Sequence, residues 1–264
     1  MISKIALNNK VVDAIVFWTK DSTNFMKFLP TIDKIGYKYY FQYTINFYDK
    51  TIEPNLRNKN EIIQNFIELS KKIGKEKVIW RYDPILISNE INVDWHIQKF
   101  SELCDKLANY TNTVVISFFD EYKKLDKSKF RTLSKEEMLK LGESFSRIAK
   151  KHNLAIRTCA EEIVFTNGIE KGACIDKVLI EKICGYSLNV KKDKTQRAEC
   201  GCVQSIDIGE YNTCSHFCKY CYANNNCKNI KSNIHKHNPN SPLLIGELTS
   251  NDKLYERDVK SLKK

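Results

Sequence analysis

The chain has 264 residues, 42% hydrophobic and 28% charged, with a formal charge of +11. This is ordinary for a soluble globular protein with one large core or two small ones. No apolar run approaches the ~20 residues that span a bilayer and no charged-then-apolar leader opens the chain, so a membrane protein is excluded and a cytoplasmic address is expected.

Met1 to Lys10 has no clear period and reads as a fragment of an edge. Val11 to Lys20 is a nearly continuous apolar run, as in a strand buried on both faces of a parallel sheet. Tyr37 to Ile45 repeats the theme with five aromatics, and Gln42 and Thr44 stand towards its end. A helix is expected from about Glu61 to Ile73, with Ile62, Phe66, Leu69 and Ile73 in one stripe and Gly74 as its cap. Val78 to Pro84 is a third strand. The next helix runs from about Asp94 to Leu107, where Cys104 shares the inward stripe with Phe100 and Leu103 and reads as a small core residue.

Thr113 to Asp120 is a fourth strand, and Ser134-Lys-Glu-Glu137 is a capping box opening a helix to about Lys151. Leu154 to Glu162 is a fifth strand and its following turn. A short helix opens at Asp176 and ends with Cys184 buried. The polar stretch from Tyr186 to Glu199 reads as a surface loop. Ser205 to Gly209 and Pro242 to Leu248 are expected as sixth and seventh strands, and the last sixteen residues as a solvated helical tail.

Strands alternating with helices predict an α/β fold with a parallel sheet, of the TIM-barrel type. The division expected is a βα-barrel body over residues 1–185, a cysteine-rich segment over 186–248 that completes the barrel, and a tail over 249–264. Working groups in such folds sit at the C-terminal ends of strands. These are Thr19 and Lys20, Gln42 and Thr44, Arg81 and Asp83, Asp120, Thr158 with Glu161 and Glu162, and Asp207. Arg81, Asp83 and Glu161 are the catalytic candidates; Arg81 and Asp83 could equally pair with each other.

Ten cysteines without an export signal argue against a disulfide framework. None precedes Cys104, and eight fall from Cys174 to Cys227, which points to metal or redox chemistry late in the chain. Cys214, Cys218 and Cys221 form a C-x3-C-x2-C loop, enough to hold three irons of a cubane cluster with the fourth open. Cys227 could instead close a four-thiolate site. Cys159, Cys174, Cys200 and Cys202 form a second group, read as a further [4Fe-4S] cluster, a zinc site, buried thiols or a redox pair; the tight Cys200-Gly-Cys202 spacing favours iron–sulfur slightly. His216, His235 and His237 lie near the loop and read as solvated rather than ligating.

The loop, with Tyr220 before its last cysteine, resembles the signature of the radical S-adenosylmethionine (SAM) enzymes. More closely, Glu199 to Asn225 resembles a prokaryotic family of unknown function, DUF1848. So do Ile15-Val-Phe-Trp-Thr-Lys20, Trp80-Arg-Tyr-Asp-Pro84, Thr158-Cys-Ala-Glu161 and Gly172-Ala-Cys-Ile-Asp176. The resemblance implies a [4Fe-4S] cluster on Cys214, Cys218 and Cys221, SAM as cosubstrate with Tyr220 near its adenine, and a small electron donor such as flavodoxin or ferredoxin. Gly246-Glu247 resembles the turn that takes the SAM amino group. Radical-SAM enzymes carry this loop after their first strand, so its place after the expected sixth implies a circularly permuted or incomplete barrel. Relatives also carry a further stretch ahead of the position of Met1. The alternative, from another class, is a non-catalytic zinc- or iron–sulfur-binding module with an anionic partner such as nucleic acid. The net charge allows this, although the lysines are dispersed.

Overall fold

Residues 2–120, 129–224 and 226–264 are described in a computed structural model of the chain. Met1 and Asn225, which bound two of the stretches singled out above, lie outside them. The chain opens with β1 (Ile2–Lys4) and β2 (Ile15–Thr19). A 3-10 turn at Met26–Phe28 leads into α1 (Leu29–Ile35), started by Pro30 and stopped by Gly36 in the left-handed region. Then come β3 (Tyr39–Thr44) and α2 (Lys59–Ile73), the latter opened by a capping box between Asn58 and Glu61. β4 (Val78–Ile85) leads to α3 (Val93–Leu107), where the Asn92 side chain accepts from the Trp95 N–H. β5 (Thr113–Phe118) precedes α4 (Lys135–Lys151), whose Ser134–Glu137 capping box forms as the sequence predicts. β6 (Ala155–Thr158), β7 (Glu170–Lys171) and α5 (Lys177–Cys184, capped by Asp176) follow. α6 (Cys227–Lys236) and β8 (Leu254–Glu256) complete the described elements.

β2 to β7 form one parallel six-stranded sheet in chain order, and β1 and β8 form a separate parallel pair. The fold is therefore α/β with parallel sheets. Among the described residues the larger sheet is open, with β2 and β7 as its edges, and does not close into the expected barrel.

Side chains alternate across each strand. On one face Tyr39, Phe41, Tyr43, Val78, Trp80, Tyr82, Val114 and Ile116 pack against the apolar stripes of α2, α3 and α4. Phe100 sits between Trp80 and Phe145, stacked at 5.2 and 4.0 Å. Cys104 is fully buried in this layer, as its place on the α3 stripe required. Each large side chain so buried stabilises the fold by about 1.5–3 kcal/mol. The other face carries Val16, Tyr40, Ile79 and Val115, and it is covered by α5, Leu188 and Leu262. The late part of the chain thus lies across the sheet face that the three long helices leave free.

Four further expectations fail here. Ser205 to Gly209 forms no strand: it has no ladder partner, and Ile208 is 54% exposed. Pro242 to Leu248 is a run of bends rather than a strand, with Leu244 exposed. The final sixteen residues are not helical; Leu254, Tyr255 and Glu256 pair with Ile2, Ser3 and Lys4, which gives the expected N-terminal edge fragment its partner. Cys184 is only partly buried, its thiol donating to the Asp13 carbonyl. No helix among the described residues is long and apolar enough to cross a membrane.

Candidate functional site

The C-terminal ends of β2, β3 and β4 hold a buried ionic centre built on Glu53, in the connection between β3 and α2. Glu53 is 1% exposed. It pairs with Lys20 at 2.9 Å and with Lys59, and it accepts the Tyr220 hydroxyl proton. Burial alone would push its carboxyl up, but the two lysines and their hydrogen bonds outweigh that and hold it at about 2. The lysines respond in opposite directions. Burial works against both ammoniums. For Lys20 the charges of Glu53, Cys218 and Asp83 outweigh it and raise the pKa. Burial prevails at Lys59, which also faces Lys20 across the shared carboxylate.

This centre fixes the cysteine loop. The Tyr220 ring is buried against Tyr48 and Ile52, with the Lys20 ammonium 5.3 Å from its centroid. The loop backbone docks through Lys219 N–H to the Ile52 carbonyl (2.9 Å) and Asn55 N–H to the His216 carbonyl (3.2 Å). Asn55 Nδ2 also reaches the Ser215 carbonyl at 2.8 Å. Phe217 adopts φ 56°, the left-handed turn that carries the chain from Cys214 to Cys218. Cys214 is exposed, whereas Cys218 and Cys221 are half-buried. Burial pushes the Cys218 thiol up to about 11 against the pull of Lys20, and the charges of Cys214 and Cys221 reach it too. Cys227 opens α6 with its side chain exposed.

Burial and the charge of Lys20 lower the His216 pKa. His235 is exposed, and His237 Nδ1 lies 2.8 Å from the Leu244 carbonyl. Gly246-Glu247 sits apart from any strand, on the end of α6: Gly246 N–H donates to the Lys236 carbonyl and Glu247 accepts from Asn238.

Arg81 and Asp83 pair, as one of the two sequence readings had it. Arg81 Nε and Nη2 reach Asp83 Oδ2 at 3.0 and 2.6 Å. The same guanidinium donates through Nη1 to Cys174 Sγ at 2.8 Å, so Arg81 joins the ionic end of the sheet to the second cysteine group. Glu161 accepts from Ser117 Oγ and the Phe118 N–H, both at 2.8 Å, and burial raises its carboxyl. Asp120 pairs with Arg197 at 2.6 Å, and Asp207 lies in an irregular loop rather than at a strand end.

Cys159, Cys174, Cys200 and Cys202 converge. Cys159 Sγ and Cys174 Sγ are 3.1 Å apart, and Cys202 Sγ accepts from the Cys174 and Ile175 N–H groups at 3.2 and 3.3 Å. Tyr40 Oη and Gln42 Nε2 hold the Cys174 carbonyl at 2.5 and 2.9 Å. All ten cysteines carry free thiols. Among the described residues no three His, Cys, Asp or Glu side chains already stand as a ligand set for an ion.

A cleft of about 170 Å³ lies away from the cysteine loop, between α5 and β4 and β5, lined by Ile79, Thr113, Val115, Arg157 and Asp176. Glu53, Lys59 and Tyr40 were missed by sequence reasoning. Glu53 stands in a polar connection that reads as solvated, and only tertiary burial singles it out.

A family model described as a domain of unknown function (DUF1848) matches residues 1–223. The match takes in all four strand-end stretches and the three-cysteine loop, and it stops before Cys227 and Gly246-Glu247. No curated protein matches the chain. Among solved structures, the chain is similar to a Bacteroides thetaiotaomicron protein provisionally described as an alpha-L-fucosidase. The identity is 13% over 64% of this chain and 70% of that one, with a TM-score of 0.31, too low to carry an argument.

Proposed function

Because this chain belongs to the DUF1848 family, whose description leaves the activity open, we propose from its own cysteine loop that it is a radical-SAM-like iron–sulfur protein. The observation that carries the reading is a loop of three thiols on one turn, docked through Tyr220, Glu53 and Lys20 at the C-terminal end of a parallel sheet. The donor set fits the group: three soft thiolates suit iron, and the exposed Cys214 leaves a route for cluster insertion. Cys214, Cys218 and Cys221 would hold the cluster. When bound, it would supply reductive cleavage of SAM to a 5′-deoxyadenosyl radical, with electrons from flavodoxin or ferredoxin.

The residues of the chain divide the remaining work. Lys20 sets a positive charge beside Cys218, which favours its thiolate. Tyr220 anchors the loop, its hydroxyl committed to Glu53, which leaves its ring to serve the place near the adenine that the resemblance implies. Arg81, Asp83 and Glu161 stand on neighbouring strand ends, where Glu161 can hold a proton more readily than an exposed glutamate. We read the open six-stranded sheet as part of a radical-SAM-type barrel. Gly246-Glu247, on the end of α6, lends the SAM half of the reading no support.

The test is anaerobic reconstitution of the whole chain with iron and sulfide. The unsubstituted protein should bind about four more irons than C214A/C218A/C221A and show broad visible sulfide-to-iron absorption that the variant lacks. Reduced with dithionite in the presence of SAM, it should release 5′-deoxyadenosine, and the variant should not. Equal iron in the two chains overturns the cluster assignment; iron without 5′-deoxyadenosine overturns the SAM assignment alone.

A further inference from the structure

We propose that Cys159, Cys174, Cys200 and Cys202 form a second metal site, closed and structural, that takes a single zinc ion. Three separate stretches supply it: the end of β6, the connection between β7 and α5, and the Cys200-Gly201-Cys202 turn. Cys174, Cys200 and Cys202 are 6–8% exposed and cluster with Cys159, Ala160, Ala173 and Ile175, so the four cysteines gather in one buried patch. The contacts run as a chain, Cys159 to Cys174, Cys174 to Cys202 and Cys202 to Cys200. A disulfide would account for one link of that chain and leave two thiols over.

The surroundings are those of ligand sulfurs. Cys202 Sγ accepts two backbone N–H groups, and Cys174 Sγ accepts from the Arg81 guanidinium. Such donors stabilise thiolates and offset the negative charge of a four-thiolate zinc. Two glycines allow the stretches to approach. A Cβ on Gly172 would lie 2.8 Å from the Thr158 carbonyl oxygen, and one on Gly201 would lie 2.7 Å from that of Gly172. Both obstacles are backbone, so the close approach tolerates no side chain at either position.

Spacing decides the metal. In a zinc tetrathiolate with bonds of about 2.3 Å the sulfurs stand about 3.8 Å apart. The 3.1 Å contact between Cys159 and Cys174 must open by several tenths of an ångström to match. A cubane would have to drive the same sulfurs much further apart, around four irons. This reverses the slight preference for iron–sulfur that the Cys200-Gly-Cys202 spacing gave. Binding is proton exchange without redox: Zn²⁺ takes the four sulfurs and their thiol protons go to solvent.

The full-length C214A/C218A/C221A chain isolates this site from the first cluster. Purified with zinc, it should carry about one zinc per chain and no sulfide, and cobalt should replace the zinc with intense thiolate-to-cobalt absorption. Adding C200S/C202S should abolish both. In the unsubstituted chain zinc should slow alkylation of Cys200 and Cys202 at least tenfold, a readout that stands if the serine variant fails to fold. Absence of zinc and of the cobalt spectrum from the triple variant, iron with sulfide in their place, or equal alkylation with and without zinc overturns the proposal.

Discussion

Glu53→Gln should destabilise the protein by about 3 kcal/mol, near the lower end for breaking a buried ion pair by removing one partner. Lys20 and Lys59 would be left facing each other with side chains only 16% and 18% exposed and no anion between them. The amide can still accept the Tyr220 hydroxyl, so the loss isolates charge rather than shape. The pH dependence gives an independent check. The Glu53 carboxyl is held at about 2 against an ordinary 4.5, which corresponds to about 3 kcal/mol. Its folded pKa is the lower one, so this contribution is complete above pH 4.5 and is lost as the pH falls towards about 2. Urea unfolding from pH 6 to pH 2.5 should show that decline in the unsubstituted protein and a flatter profile in the variant. Equal midpoints at pH 6 would mean that the carboxylate carries no stability. Because Tyr220 is the anchor of the cysteine loop, iron retained after reconstitution should fall together with stability.

Arg81→Met should act on the other cysteine group. Arg81 is 5% exposed and serves Asp83, Cys174 and Gln42 with one planar head. Methionine fills similar space but offers no donors. The cost to folding should be about 2 kcal/mol for hydrogen bonds to charged partners. The larger effect falls on the proposed zinc, whose affinity should drop about 10–100-fold when a donor to a ligand sulfur is removed. Chelator competition measures this, and Arg81→Lys is the informative companion. A lysine can reach Asp83 or Cys174 but not both, so it should restore only part of the loss. Unchanged zinc affinity in both variants would assign Arg81 to the Asp83 pair alone.

Most of the helix–sheet layer was legible in the sequence because its pattern is local. The stripes of α2, α3 and α4 repeat at helical spacing, and the Ser134–Glu137 box marks its own start. α1 escaped because seven residues beginning Leu-Pro have too little length for a period. Ser205 to Gly209 misled for the converse reason: alternating isoleucines suit a strand only where a neighbour offers a ladder, and here none does. The cysteines announced both groups by clustering. What joins the groups to the sheet, Glu53 and the reach of Arg81 to Cys174, depends on burial and on partners more than 90 residues away. No local pattern encodes that.

The strand order from β2 to β7 follows the chain, so each strand meets its neighbour soon after it is made, and the sheet has little loop entropy to overcome. The cysteine segment is the opposite case: Tyr220 closes on Glu53 across 167 positions, and Leu262 on Asp13 across 249. Assembly therefore has two times. The helix-covered layer can form while the last third is still being synthesised, and metal enters a scaffold that already exists instead of nucleating it. In the interval the Val16, Tyr40, Ile79 and Val115 face stands bare and adhesive. Refolding followed with a hydrophobic dye should show helix recovered before the dye is released, with metal hastening only the second event; a metal-dependent helix phase would refute this order.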